Sequence, residues 1–70
     1  SVILKNIESM KSQLELVRTV YDRQLNLWQQ KIGTEVQFLQ AKTNKESLEK
    51  QIAALEEQNE MSKIKASVNG

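Results

Sequence analysis

Apolar residues recur along the first part of the chain at alternating steps of four and three, at Ile3, Ile7, Met10, Leu14 and Val17. This spacing keeps the side chains on one seam of an α-helix and is typical of a coiled coil. Beyond Leu14 the steps become three, four and four, an 11-residue period that relaxes the left-handed supercoil. The seam continues through Tyr21, Leu25, Trp28, Ile32, Val36 and Leu39. The pattern predicts a long helix that associates through this seam.

Turn-forming residues are scarce, because the chain has no proline and only two glycines. Gly33 and Thr34 offer one break, since glycine commonly follows a helix end and Thr34 with Gln37 resembles a cap. The seam nevertheless crosses Gly33 without losing phase, and a glycine inside a helix costs only about 1 kcal/mol relative to alanine. The sequence therefore favours a continuous helix through Gly33.

After Leu39 the seam stops, and residues 41–47 are the most polar stretch of the chain. A heptad then restarts on a displaced face, at Leu48, Ile52, Leu55 and Asn59. Either a continuous helix has a seam that shifts around residues 41–47, or the chain folds back near Thr43, which has capping-box spacing with Glu46. We expect the continuous helix, with a helical hairpin that turns near Thr43 as the alternative. An Asn at the position of Asn59 commonly fixes the register of a parallel dimer.

A second group of apolar residues lies well around the helix from the seam, which gives the predicted helix two apolar faces. This second face consists of Leu16, Val20, Leu27 and Phe38. A two-stranded coiled coil uses one stripe, so a second face predicts either a tetramer-like bundle or a docking site for a helix of a different protein. Isolated apolar residues on a surface are the simpler alternative.

Few kinds of chemistry are open to this chain, because it has no His and no Cys. We predict no enzyme, no catalytic or metal-binding residues and no cofactor, since the usual general bases, thiol nucleophiles and zinc ligands are missing. The formal net charge is +1 and the two signs are interleaved, which predicts no nucleic-acid partner. The longest apolar run, residues 52–55, is far below the roughly 20 residues of a membrane span, which predicts no membrane insertion.

Together these patterns predict an all-α protein: a coiled-coil helix over residues 1–66, a frayed tail over residues 67–70, and a piece excised from a longer protein. Its expected partner is itself, as a dimer first and a tetramer next. The predicted function is homo-oligomerisation within a scaffold, tether or cytoskeleton-associated protein. The lack of Cys fits an intracellular location, in cytoplasm or nucleus. The alternative function is docking of another protein's helix on the second face.

Overall fold

The chain forms a hairpin of two antiparallel helices, α1 (Val2–Gln29) and α2 (Glu35–Asn69). The computed structural model describes the backbone of residues 1–69 and the side chains of residues 1–63. The hairpin is a rod of 58 × 15 × 13 Å, and residues 1–69 contain no strand, which confirms the all-α prediction. The predicted frayed tail falls where side chains are not described, and its last residue, Gly70, lies outside the described residues.

The chain reverses at residues 30–34, so the prediction of a continuous helix through Gly33 is wrong. The end of α1 is a Schellman motif: the backbone N–H of Lys31 donates to the Trp28 carbonyl at 3.0 Å, and that of Ile32 donates to the Leu27 carbonyl at 2.9 Å. Lys31 takes the left-handed position of this motif, with φ 62°. Glycine is the usual residue at this position. Because a lysine stands there instead, the sequence did not indicate where α1 ends.

A reciprocal capping box starts α2. The Thr34 hydroxyl accepts a hydrogen bond from the Gln37 backbone N–H at 3.1 Å, and the Gln37 side-chain oxygen accepts one from the Thr34 N–H at 3.3 Å. Two backbone donors that would otherwise be unpaired at the helix start are thereby satisfied. The spacing of Thr34 and Gln37 was therefore the sequence signal that correctly indicated a helix start after the turn. The apolar seam, which keeps its phase across Gly33, favoured a continuous helix instead.

Gly33 provides room where the turn passes over the end of α1. A Cβ atom at this position would lie 3.2 Å from the Leu27 Cβ, closer than ordinary van der Waals contact, and 3.6 Å from the Trp28 nitrogen. Gly33 does not have a positive φ. Its small size, and not a left-handed backbone, is what the turn requires.

The predicted alternative, a helical hairpin, agrees with the observed fold, but its turn near Thr43 is misplaced because residues 41–47 lie inside α2. The core-facing positions of α2 follow steps of three and four without interruption: Phe38, Ala41, Lys45, Leu48, Ile52, Leu55 and Asn59. Ala41 is buried, and the Lys45 ammonium lies 4.5 Å from the centre of the Tyr21 ring. Ala41 and the aliphatic stem of Lys45 therefore fill the seam within residues 41–47, the stretch that is the most polar in the sequence.

The core between the helices is thin. Its buried hydrophobic side chains in the described part of the chain are Ile7, Leu14, Ala41 and Ile52. Half-buried residues, such as Tyr21 and Leu55, line its edges. A two-helix rod can enclose only a narrow strip of side chains, so the monomer leaves much of its apolar surface in contact with water.

Lys31→Gly should stabilise the hairpin, because a non-glycine residue in the left-handed region costs about 1–2 kcal/mol and glycine escapes most of that cost. We expect a net gain of about 1 kcal/mol, which corresponds to a rise in melting temperature of about 4–8 °C, measured by circular dichroism. The control is Gln30→Gly, at φ −85°, which should lower the melting temperature. A fall for Lys31→Gly would contradict the turn described above.

Candidate interaction surfaces

Most of the predicted oligomer seam packs inside the hairpin itself. On α1, Ile7 and Leu14 are buried, and the remaining seam positions as far as the last turn of the helix are half-buried: Ile3, Met10, Val17, Tyr21 and Leu25. On α2, Ile52 is buried, and Leu48, Leu55 and Asn59 are half-buried. The two segments of the predicted seam therefore face each other within one chain. Their use between copies stays a prediction.

The last part of the seam lies at the turn end of the rod and remains in water. Ile32 is 68% exposed and Val36 is 73% exposed, while Leu39 and Trp28 are exposed to lesser degrees. We call these four residues the turn cluster. Their spacing continues the helical period of the seam across Gly33. Because the chain reverses there, however, these residues cover the end of the hairpin and do not lengthen the seam. Val36 and Leu39 also line a shallow groove with Gln40 and Thr43.

An aromatic cluster joins the two helices just below the turn. The Phe38 ring of α2 stacks on Trp28, with ring centres 6.1 Å apart and an interplanar angle of 8°, and lies 5.9 Å from the Tyr21 ring. The Lys45 ammonium faces the Tyr21 ring. Such contacts hold Trp28 in a fixed orientation while part of its surface stays exposed.

The second apolar face predicted from the sequence is divided by the fold. Leu16 is 67% exposed and Val20 is 44% exposed, both on the outside of α1. Leu27 is half-buried beneath Gly33, and Phe38 belongs to the aromatic cluster. Only Leu16 and Val20 therefore remain as the exposed apolar part of this face.

Ion pairs connect the helices along one flank of the hairpin. The Lys11 Nζ lies 3.2 Å from the Glu56 carboxylate, and the Arg18 guanidinium lies 3.0 Å from that of Glu49. Leu14 and Ile52 form the floor of the groove that these residues line. Ion pairs in water contribute only about 0–1 kcal/mol each, so their main effect here is on the register of the two helices.

Neither described helix has an apolar stretch of the length and hydropathy that a bilayer span requires. Among the described side chains, no group of three or more acidic residues, His or Cys is placed to hold a metal ion. The geometry of the described residues offers surfaces for contact, and we assign no reaction to it.

Sequence reasoning missed two residues that position these surfaces, Ala41 and Lys45. A usable signal was present, because Phe38, Ala41, Lys45 and Leu48 are spaced by three, four and three. It was overlooked because alanine and lysine are weak indicators of burial. The lysine contributes its aliphatic stem to the seam and its charge to the Tyr21 ring and the Glu49 carboxylate, 3.9 Å away.

Phe38→Ala should destabilise the hairpin, since it removes both ring contacts between the helices. We expect a loss of about 2 kcal/mol in the free energy of unfolding, below the 3–5 kcal/mol of a fully buried phenylalanine, because Phe38 is half-buried. Trp28 is the single tryptophan, so its fluorescence emission should also shift to the red.

The matched control is Val36→Ala, two residues away and largely exposed, which should change stability by less than about 0.5 kcal/mol. Equal losses for the two variants in urea unfolding would contradict the aromatic cluster as a contact between the helices.

A family model described as "CzcB-like, alpha-helical hairpin domain" matches residues 5–61, which is most of the chain. The match spans both helices and the turn, in agreement with the hairpin. No curated protein and no solved structure matches the chain.

Proposed function

The chain belongs to the family of CzcB-like, alpha-helical hairpin domains, and from this premise we propose that it is the interaction arm of a membrane-fusion adaptor of an efflux pump. The match covers most of both helices of the rod. An adaptor holds other subunits at a distance from its own anchoring parts, and a narrow rod 58 Å long suits that task. The function proposed for the chain is therefore protein–protein contact.

The turn cluster supports contact at the end of the arm. Ile32 and Val36 are both more than two-thirds exposed, and they stand at the point of the rod that is farthest from the two chain ends of the hairpin. Exposed apolar side chains that are grouped at one place commonly mark a binding surface. This grouping is the observation on which our proposal of a contact at the turn depends.

The proposal retains part of the function predicted from the sequence. A protein-interaction module agrees with the family, whereas a scaffold or cytoskeletal role gains no support from it. Homo-oligomerisation through the seam remains a proposal, and so does docking of another protein's helix on Leu16 and Val20. An adaptor arm of this kind would work in the periplasm, an alternative to the intracellular location predicted above.

A chimeric adaptor tests this function. Residues 5–61 would replace the helical hairpin of an adaptor whose efflux activity is known, in cells that lack that adaptor. We expect the chimera to restore resistance to the exported substrate. Ile32→Glu with Val36→Glu should abolish the resistance, because two charges would enter the proposed apolar contact.

The control adds the same two charges on exposed positions away from the turn, as Ser12→Glu with Met61→Glu, and should retain resistance. Protein levels and circular dichroism exclude a failure to fold. A well-folded chimera without efflux would contradict the adaptor role. Efflux that survives the charges at the turn would contradict the turn cluster as the contact.

A further inference from the structure

One buried polar atom among the described side chains has no hydrogen-bond partner: the side-chain oxygen of Gln24. Gln24 lies on α1, one turn before Trp28, and is half-buried. Its oxygen is 3.7 Å from the point that a Cβ atom on Gly33 would occupy, so it lies directly beneath the turn. Buried polar groups in proteins are nearly always paired, so this oxygen requires an explanation.

The Gln24 side chain lines a cleft between the two helices, with a volume of about 170 Å³. Gln40 and Asn44 on the α2 side of the cleft are exposed, and Val20 on the α1 side is 44% exposed. The lining residues carry no formal charge, and they are Val20, Gln24, Gln37, Gln40, Ala41 and Asn44. We call this site the amide cleft.

The hairpin does not satisfy the Gln24 oxygen from within. The side-chain oxygen of the neighbouring Gln37 is committed to the capping box, where it accepts from the Thr34 N–H. Among the described residues, neither Gln40 nor Asn44 donates to Gln24. The last side-chain bond of glutamine rotates over a broad range of angles, so the oxygen can turn toward the cleft when a donor enters.

We propose that the amide cleft receives a neutral hydrogen-bond donor, a hydroxyl or amide side chain, from the subunit that contacts the turn. The donor pairs with the Gln24 oxygen. This inference rests on the proposed adaptor function and extends it by naming the chemistry of the partner. Gln24 is then a residue that determines specificity, beside the apolar contact of the turn cluster.

The position of the amide cleft favours the same partner as the turn cluster. Gln40 and Asn44 line both the amide cleft and the shallow groove that contains Val36 and Leu39. The two depressions are therefore continuous along α2. A subunit that covers the apolar residues at the turn also lies over the entrance of the cleft.

The lining of the amide cleft selects the chemistry of the donor. An unpaired acceptor discriminates against a partner without a donor, because the oxygen would then stay buried and unsatisfied. A lysine or arginine is disfavoured, since the lining has no carboxylate to accompany a buried cation. The cleft exceeds what one water molecule needs, so it has room for a side chain.

Gln24→Met tests the inference, because it removes the acceptor and keeps an unbranched side chain of similar length. The melting temperature of the 70-residue chain should rise by about 4–8 °C, since the unsatisfied buried group is gone. In the chimeric adaptor the same change should lower resistance at least about fourfold, because the donor of the partner is left unpaired. Resistance is measured as the inhibitory concentration of the exported substrate.

The control is Gln13→Met, eleven residues earlier and therefore about three turns along the same side of α1. Gln13 is exposed and lies outside the amide cleft, so melting temperature and resistance should both stay unchanged. A lower melting temperature for Gln24→Met would assign its amide to the stability of the hairpin and overturn the inference. Unchanged resistance, with a native chimera that works, would overturn the amide cleft alone. A native chimera without resistance would overturn the adaptor function and this inference with it.

Gln24→Glu tests the neutral character of the donor. Glutamate keeps an acceptor oxygen and nearly the same shape, but it adds a negative charge. We expect lower resistance, because the amide cleft holds no cation to pair with that charge, and circular dichroism excludes a failure to fold. Higher resistance would indicate a lysine or arginine of the partner and would overturn the assignment of a neutral donor.

Discussion

The reversal at residues 30–34 is the constraint on which the rest of the structure depends. Each half of the chain has an apolar stripe, and neither stripe is buried until the turn brings the two helices together. Local hydrogen bonds fix this reversal: the Schellman motif ends α1 and the capping box of Thr34 and Gln37 starts α2. Gly33 then lets the turn lie close to Leu27. The turn also sets how α1 and α2 are aligned along the rod, and this alignment brings together the residues of the aromatic cluster and of the interhelical ion pairs.

That alignment also determines which surfaces remain for partners. The core occupies the strip between the helices, which leaves the turn cluster and the flank with the ion pairs in contact with water. The apolar turn cluster suits contact at the end of an arm, and it is where the proposed adaptor role is tested.

The thin core gives these surfaces a role in stability as well as in recognition. A two-helix hairpin buries few side chains completely, and here they are Ile7, Leu14, Ala41 and Ile52 in the described part of the chain. The apolar area that stays exposed on Leu16 and Val20 is then available to an assembly. Association would stabilise the same fold that creates the binding surface, because any partner that binds only the folded state shifts the folding equilibrium toward it.

The sequence by itself determined that the chain is helical, that an apolar stripe runs along most of α1 and resumes at Leu48 of α2, and that the chain contains no His and no Cys. Periodicity and composition are properties of the sequence itself, so they can be evaluated before the fold is known. The tertiary structure decided where the chain reverses and what the stripes contact. The sequence did not reveal the reversal for two reasons. The apolar residues Ile32 and Val36 keep helical spacing whether or not the backbone bends between them. In addition, a lysine and not a glycine stands at the left-handed position that ends α1. The burial of Ala41 and the partial burial of Lys45 arise only when α2 lies against α1.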